Sequence, residues 1–344
     1  MPSDTAVNVN SEVYYAGKYW NDLPQVLRYM SENFTGDPGK WWVDDFRDRF
    51  ASRPFSRALF LNCGNGWVER EFIDKGIVSH AVGFDYSLDL LRLAQRDKGT
   101  RPIAYFQADV NRVDFAADGF DLVVNVAALH HVQYIHRLAR VLCSAIRPGG
   151  LIVSFDYVGP RRNQYPLRQW LHIQRVNRGL PLHIRKTPLV RPHLPTMLYT
   201  DPTEAIHSDL IFDALARFFD VFERHDTGGG VAYELLTHND KIWSVPPGDL
   251  EPRVKRVLDE DRRLSQAGAV PPLFSYFIAR PRKPALGDAA LIARTDALEA
   301  RREAWARAHG GTYSYVEFGL AKALPWVGRQ ARRLKMGRLI RRLG

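Results

Sequence analysis

Between residues 57 and 155 short apolar runs alternate with segments of helical period, and this alternation limits the fold more than any other feature of the chain. Residues 57–61, 80–84, 103–107, 120–125 and 151–155 are predicted strands, rich in Val, Ile, Leu and Phe. Residues 68–75, 88–97 and 134–146 are predicted helices, the last stopped by RPGG at 147–150. Strands that alternate with helices over short connections build a parallel, doubly wound sheet with right-handed crossovers. Two later apolar runs, 221–225 and 273–279, bring the count to seven. The expected fold is α/β, a Rossmann-like seven-stranded, mostly parallel sheet with helices on both faces.

The flanks divide the rest of the chain. Residues 1–55 are expected to form an N-terminal helical cap, with a polar, disordered start at 1–11 and helices at 23–33 and 41–50. Their aromatic residues suit packing against the sheet, and Tyr14, Tyr15, Tyr19 and Trp20 also suit a lid over a ligand. The core spans 56–157. Residues 158–200, rich in Pro, Arg and His, are expected to be a substrate-side insert with a helix at 167–177. Residues 201–283 complete the sheet, with helices expected at 202–219 and 254–265. Residues 284–344 are expected to be a helical extension with a basic tail.

The net charge of +10 is local. The last 27 residues carry eight Lys and Arg and no acid, which leaves +2 for the rest. A whole-domain nucleic-acid footprint is therefore not supported, and no specific nucleic acid is expected as partner. In 326–343, Met336, Leu339, Ile340 and Leu343 share one helical face among seven Lys and Arg. Such a helix suits peripheral contact with an anionic membrane surface; the alternative is docking on the core. Cys63 and Cys143 stand far apart and suggest a reducing compartment. The polar start shows no signal-peptide pattern, and the chain has no long apolar segment. The expected location is cytoplasmic, with the tail at the inner face of the membrane.

Asn62-Cys63-Gly64-Asn65-Gly66 joins a predicted strand to a predicted helix. Glycines there let the backbone approach a ligand, and the helix start offers free N–H groups. The next strand ends in GFDYS, which puts Asp85 where a carboxylate grips a ribose diol; its alternative role is a helix cap. The third strand ends in QADV, and Asp109 can accept from an adenine amino group or cap its loop. Trp67 and Glu69 stand where a dinucleotide turn keeps small residues, so a nucleoside without a diphosphate fits better than a nicotinamide cofactor.

LFLNCGNG, GFDYS, QADV, FDLVVNVAALHHV and IRPGGLIVSF, in this order, resemble the successive motifs of class I S-adenosylmethionine-dependent methyltransferases. The resemblance implies S-adenosyl-L-methionine as cofactor, bound by Asn62, Cys63, Gly64, Gly66, Asp85, Tyr86, Asp109, Val110 and Asn125. The flanking YYAGKYWNDLP, DYVGPRRNQYP, DPTEAIHSD and FSYFIARP resemble a bacterial subgroup often found with genes for surface-polysaccharide synthesis. The chain departs from the family at two points. Phe60 stands where an acid usually orders the loop, and Asn62 replaces the first glycine.

Ligands in open α/β sheets sit at the carboxyl ends of the strands, where this chain places His130, His131, Asp156 and Tyr157. His130, His131 and Tyr157 are the candidate catalytic residues, one histidine serving as base for a hydroxyl acceptor. The histidines and Asp156 also hint at a metal. No cysteine or carboxylate stands at supporting spacing, so none is expected. The expected function is methylation of a hydroxyl on a glycan or small molecule. RNA or protein methylation, and a non-catalytic cofactor-binding or scaffold role, are its rivals.

Overall fold

The computed structural model describes residues 18–333. Seven strands form one sheet in the order β3-β2-β1-β4-β5-β7-β6. They are β1 (Phe55–Leu61), β2 (Val78–Asp85), β3 (Ile103–Gln107), β4 (Phe120–Val126), β5 (Ile146–Tyr157), β6 (Phe219–Asp226) and β7 (Phe274–Pro281). β1 to β5 pair in parallel, and β7 runs antiparallel between β5 and β6. The strand order reverses between β1 and β4, both of which start from the middle of the sheet. That reversal opens a crevice at the strands' carboxyl ends.

The central strands are apolar because both of their faces are covered. In β4, Leu122, Val123 and Val124 are buried, and helices Ile135–Ala145 and Ile211–Phe218 cover one face. The N-terminal aromatics cover the other. Phe34 packs on Phe155 and Tyr276, and Trp42 on Phe72 and Tyr276. Trp20 is buried and stacks on Phe274. Packing, not a mobile lid, describes Trp20; Tyr14 and Tyr15 lie outside the described residues.

One predicted element is corrected. Residues 202–219 do not form a single helix: only Ser208–Leu210, a 3-10 turn, and Ile211–Phe218 are helical. Ahead of them Asp201 Oδ1 accepts from the N–H groups of Thr203 and Glu204, and Ala205 takes a left-handed φ of 47°. A side chain that accepts local N–H bonds offers the backbone an alternative to helix. Farther on, helices Ala289–Ala308 and Tyr315–Arg333 form the extension. Among the described residues no helix is long and apolar enough to cross a membrane. The amphipathic stretch around Met336–Leu343 lies outside the described residues.

Candidate active site

The glycine turn lies at the tip of β1. Asn62, Gly64 and Gly66 all have positive φ, at 43°, 56° and 74°. Asn is among the few side chains that tolerate this region, which explains how it replaces a glycine at 62. Phe60 is buried against the ring of Phe72 and can order nothing in the loop. Asp85 does so instead. Its Oδ2 accepts from the Gly64 N–H at 2.9 Å and its Oδ1 from the Ser87 N–H at 2.8 Å. The cap of helix Leu88–Asp97 is Ser87, so Asp85 is not spent on capping.

Each Asp85 oxygen keeps lone-pair capacity beyond one N–H bond, which two hydroxyls of a ribose can use. Burial raises its carboxyl above the usual range, against the backbone N–H bonds that lower it. A ribose diol would find here a nearly dry acceptor already tied to the glycine turn. The donor and acceptor set at the tips of β1 and β2 therefore fits a nucleoside.

The rest of the predicted cofactor set is mixed. Cys63 is buried, and its thiol is pushed up by burial beside Glu69 and Asp85. Glu69 is fully buried under the turn, and burial pushes its carboxyl up to about 8. Tyr86 is exposed next to Asp85, and Val110 is buried beyond β3. Asp109 Oδ1 accepts from the Asn111 N–H, so that oxygen shapes its own loop. Asn125 needs correction as a side-chain ligand. Its amide is fully engaged, donating to Ser154 and Asp156 and accepting from the Leu129 N–H.

Gly66 is glycine for packing reasons. A Cβ there would stand 2.2 Å from the Tyr105 hydroxyl. Gly66→Ala is expected to lose about 1–3 kcal/mol of stability by overpacking, beyond the strain of its φ. Adding Tyr105→Phe should recover part of that loss in urea unfolding. An unchanged midpoint for Gly66→Ala alone would contradict this packing.

At the tips of β4 and β5 a second cluster forms around Asp156, which is fully buried. Its Oδ2 accepts from Asn125 Nδ2 (2.7 Å), Ala128 N–H (3.1 Å) and Leu129 N–H (2.7 Å). Its Oδ1 meets His130 Nδ1 at 2.6 Å. Burial alone would lower His130; the Asp156 carboxylate overcomes it and moves the imidazole up to about 9. Burial and the neighbouring His130 lower His131. Both histidines lie at the strand tips, as predicted. Tyr157 does not act as predicted: its hydroxyl donates to Pro160 O at 3.1 Å, and burial holds it far above its usual pKa. It serves as a wall, packed on Phe274.

Sequence reasoning missed Glu204. The irregular segment after Asp201 docks back on the cluster through an Ile206 N–H to His130 O bond of 3.0 Å. That bond brings Glu204 Oε2 to 3.7 Å from His130 Nε2 and 3.8 Å from His131 Nε2. Arg162, buried between this segment and the last helix, donates to the carbonyls of Pro202 and Glu204 and pairs with Glu317 at 3.5 Å. The Asp-Pro-Thr at 201–203 was the available signal, because such residues favour a turn over a continued helix.

Residues 59–154 match the family model described as "Methyltransferase domain". This segment is a class I S-adenosylmethionine-dependent methyltransferase domain. The cofactor of the domain is S-adenosylmethionine. An uncharacterized methyltransferase of Mycobacterium tuberculosis is 28% identical over 122 residues, 35% of this chain and 61% of the relative. A malonyl-[acyl-carrier protein] O-methyltransferase of Enterobacter lignolyticus is 29% identical over 110 residues, 32% of this chain and 42% of its own. The chain thus spans about three fifths or less of these relatives. Among solved structures, an S-adenosylmethionine-dependent methyltransferase from Mesorhizobium loti has a TM-score of 0.44 at 22% identity, covering 69% of this chain and 95% of that one. The methyltransferase domain accounts for β1 to β5; the elements that carry Glu204 lie outside the matched residues.

Proposed function

We propose that the protein transfers the methyl group of S-adenosylmethionine to a hydroxyl of a small-molecule or glycan acceptor. The observation that supports this reading is the pairing of two built sites at the same end of the sheet. Asp85 and the glycine turn suit a nucleoside, and one step across the crevice stand His130, His131 and Glu204. The sulfonium supplies an already activated methyl, so the protein's main task is to align the acceptor oxygen with it. A hydroxyl must also lose a proton, and His131, held neutral by burial and the neighbouring His130, is suited to receive it beside the Glu204 carboxylate. Tyr157, Phe274, Tyr233 and Trp20 pack into an apolar wall beside that cluster, which would keep water from competing.

The departures at Phe60 and Asn62 do not favour a scaffold role, because Asp85 takes over the ordering of the loop. For the acceptor class, labelled S-adenosylmethionine is to be incubated with full-length protein and extract fractions of glycans, small molecules, lipids, RNA and protein. Label should enter the glycan or small-molecule fraction. His131→Ala should slow that transfer by about 10²–10⁴-fold while leaving S-adenosylhomocysteine affinity unchanged. Label confined to RNA or protein would replace this reading with its rival. For the tail we propose contact with anionic lipid, and replacing its Lys and Arg by Gln should abolish co-sedimentation with anionic vesicles.

A further inference from the structure

We infer that His130, His131 and Glu204 form a binding site for one divalent transition-metal cation. The ligating atoms of these three side chains all lie within 4.8 Å of one another. The two histidine–carboxylate gaps, 3.7 and 3.8 Å, are too long for hydrogen bonds. They are close to what a shared cation requires. Two donors about 2.1 Å from a tetrahedral metal stand roughly 3.4 Å apart, so a small inward shift closes the site.

The supporting shell argues that this convergence is built. His130 turns Nδ1 to Asp156, which sets the direction of the ring and aims Nε2 at Glu204 Oε2. His131 places Nδ1 3.1 Å from Thr203 Oγ1, and the Thr203 hydroxyl donates to Asp201 at 2.7 Å. Thr203 therefore receives the His131 Nδ1–H, and the His131 Nε2 lone pair is free. Glu204 is held from its other oxygen, Oε1, by Asn163 Nδ2 at 3.3 Å. Each of the three ligands thus has a partner that sets its direction, and all three aim a ligating atom at one point.

A divalent cation would take the place of the His130 Nε2 proton and engage all three groups at once. Buried Asp156 and nearby Asp201 add negative charge around the point. Imidazole nitrogens with one carboxylate suit Zn²⁺, Mn²⁺, Fe²⁺ or Co²⁺ better than Ca²⁺, which takes oxygen ligands. The expectation of no metal from spacing fails on its premise, because the missing carboxylate comes from 73 residues beyond His131. Three protein ligands leave positions open for an acceptor oxygen. Only that use of the cation rests on the methyl-transfer reading; the binding does not.

Full-length protein, stripped with a chelator, is to be titrated separately with ZnCl₂, MnCl₂ and CoCl₂, without any nucleoside. One equivalent of at least one cation should bind, with Co²⁺ giving a visible absorption spectrum of nitrogen–oxygen coordination. Glu204→Gln and His131→Ala should each weaken binding at least tenfold, and exposed His80→Ala should leave it unchanged. Glu204→Gln keeps the shape of a partly exposed side chain, so it carries the test if the histidine variant does not fold. No binding of any of the three cations to wild type would overturn the proposal. Stoichiometric binding unaffected by Glu204→Gln would overturn it as well. Retention of S-adenosylhomocysteine binding by Glu204→Gln separates a failure here from a failure of the cofactor reading.

Discussion

Asp156→Ala is expected to lose about 3–5 kcal/mol of folding stability, the range found when one partner is removed from a buried charged network. The variant leaves the Ala128 N–H and His130 Nδ1 without their acceptor, and takes one of two acceptors from the Leu129 N–H and from Asn125 Nδ2. Each is buried, and a buried donor without a partner costs about 1–3 kcal/mol. Asp156→Asn keeps the shape and one acceptor oxygen, so its loss should fall between wild type and Asp156→Ala. Urea unfolding of the three proteins orders them. A loss below about 1 kcal/mol for Asp156→Ala would show that this carboxylate does not hold the tips of β4 and β5 together. Transfer activity should fall in both variants, because His130 loses the bond that sets its ring.

The second large effect is expected at Asp85. Asp85→Ala removes two charge-assisted bonds to a ribose, on the order of 2–3 kcal/mol in total, or about 30- to 150-fold in affinity. It also frees the Gly64 N–H, which has no strand-1 acid to turn to because Phe60 is in the core. The loss in this chain should therefore exceed that from the ribose bonds alone. Calorimetric titration with S-adenosylhomocysteine measures it. Equal affinity of Asp85→Ala and wild type would remove Asp85 from the cofactor site.

The sheet was legible in the sequence because its central strands are buried on both faces and alternate with segments of helical period. Residues 103–107 and 88–97 are an observed strand and helix with the predicted bounds. The place of Asp85 was legible too, since GFDYS closes the second strand and sets the carboxylate at its tip. Asn125 was not: the same position faces the ligand or the neighbouring strand according to pleat and register, and here it pairs beside Ser154 and turns to Asp156. Tyr157 was misjudged for a related reason, because a hydroxyl at a strand tip can be consumed by a nearby carbonyl. Glu204 could not be reached from local pattern. Its place depends on a turn that interrupts a plausible helix and on one backbone bond to His130.

The most direct test of the cofactor claim is calorimetric titration of the full-length protein with S-adenosylhomocysteine, with NADH as a parallel titrant. One equivalent of S-adenosylhomocysteine should bind with a favourable enthalpy from the bonds at Asp85 and the glycine turn, and NADH should give no heat. Binding of NADH without S-adenosylhomocysteine, or no binding of either, would contradict it.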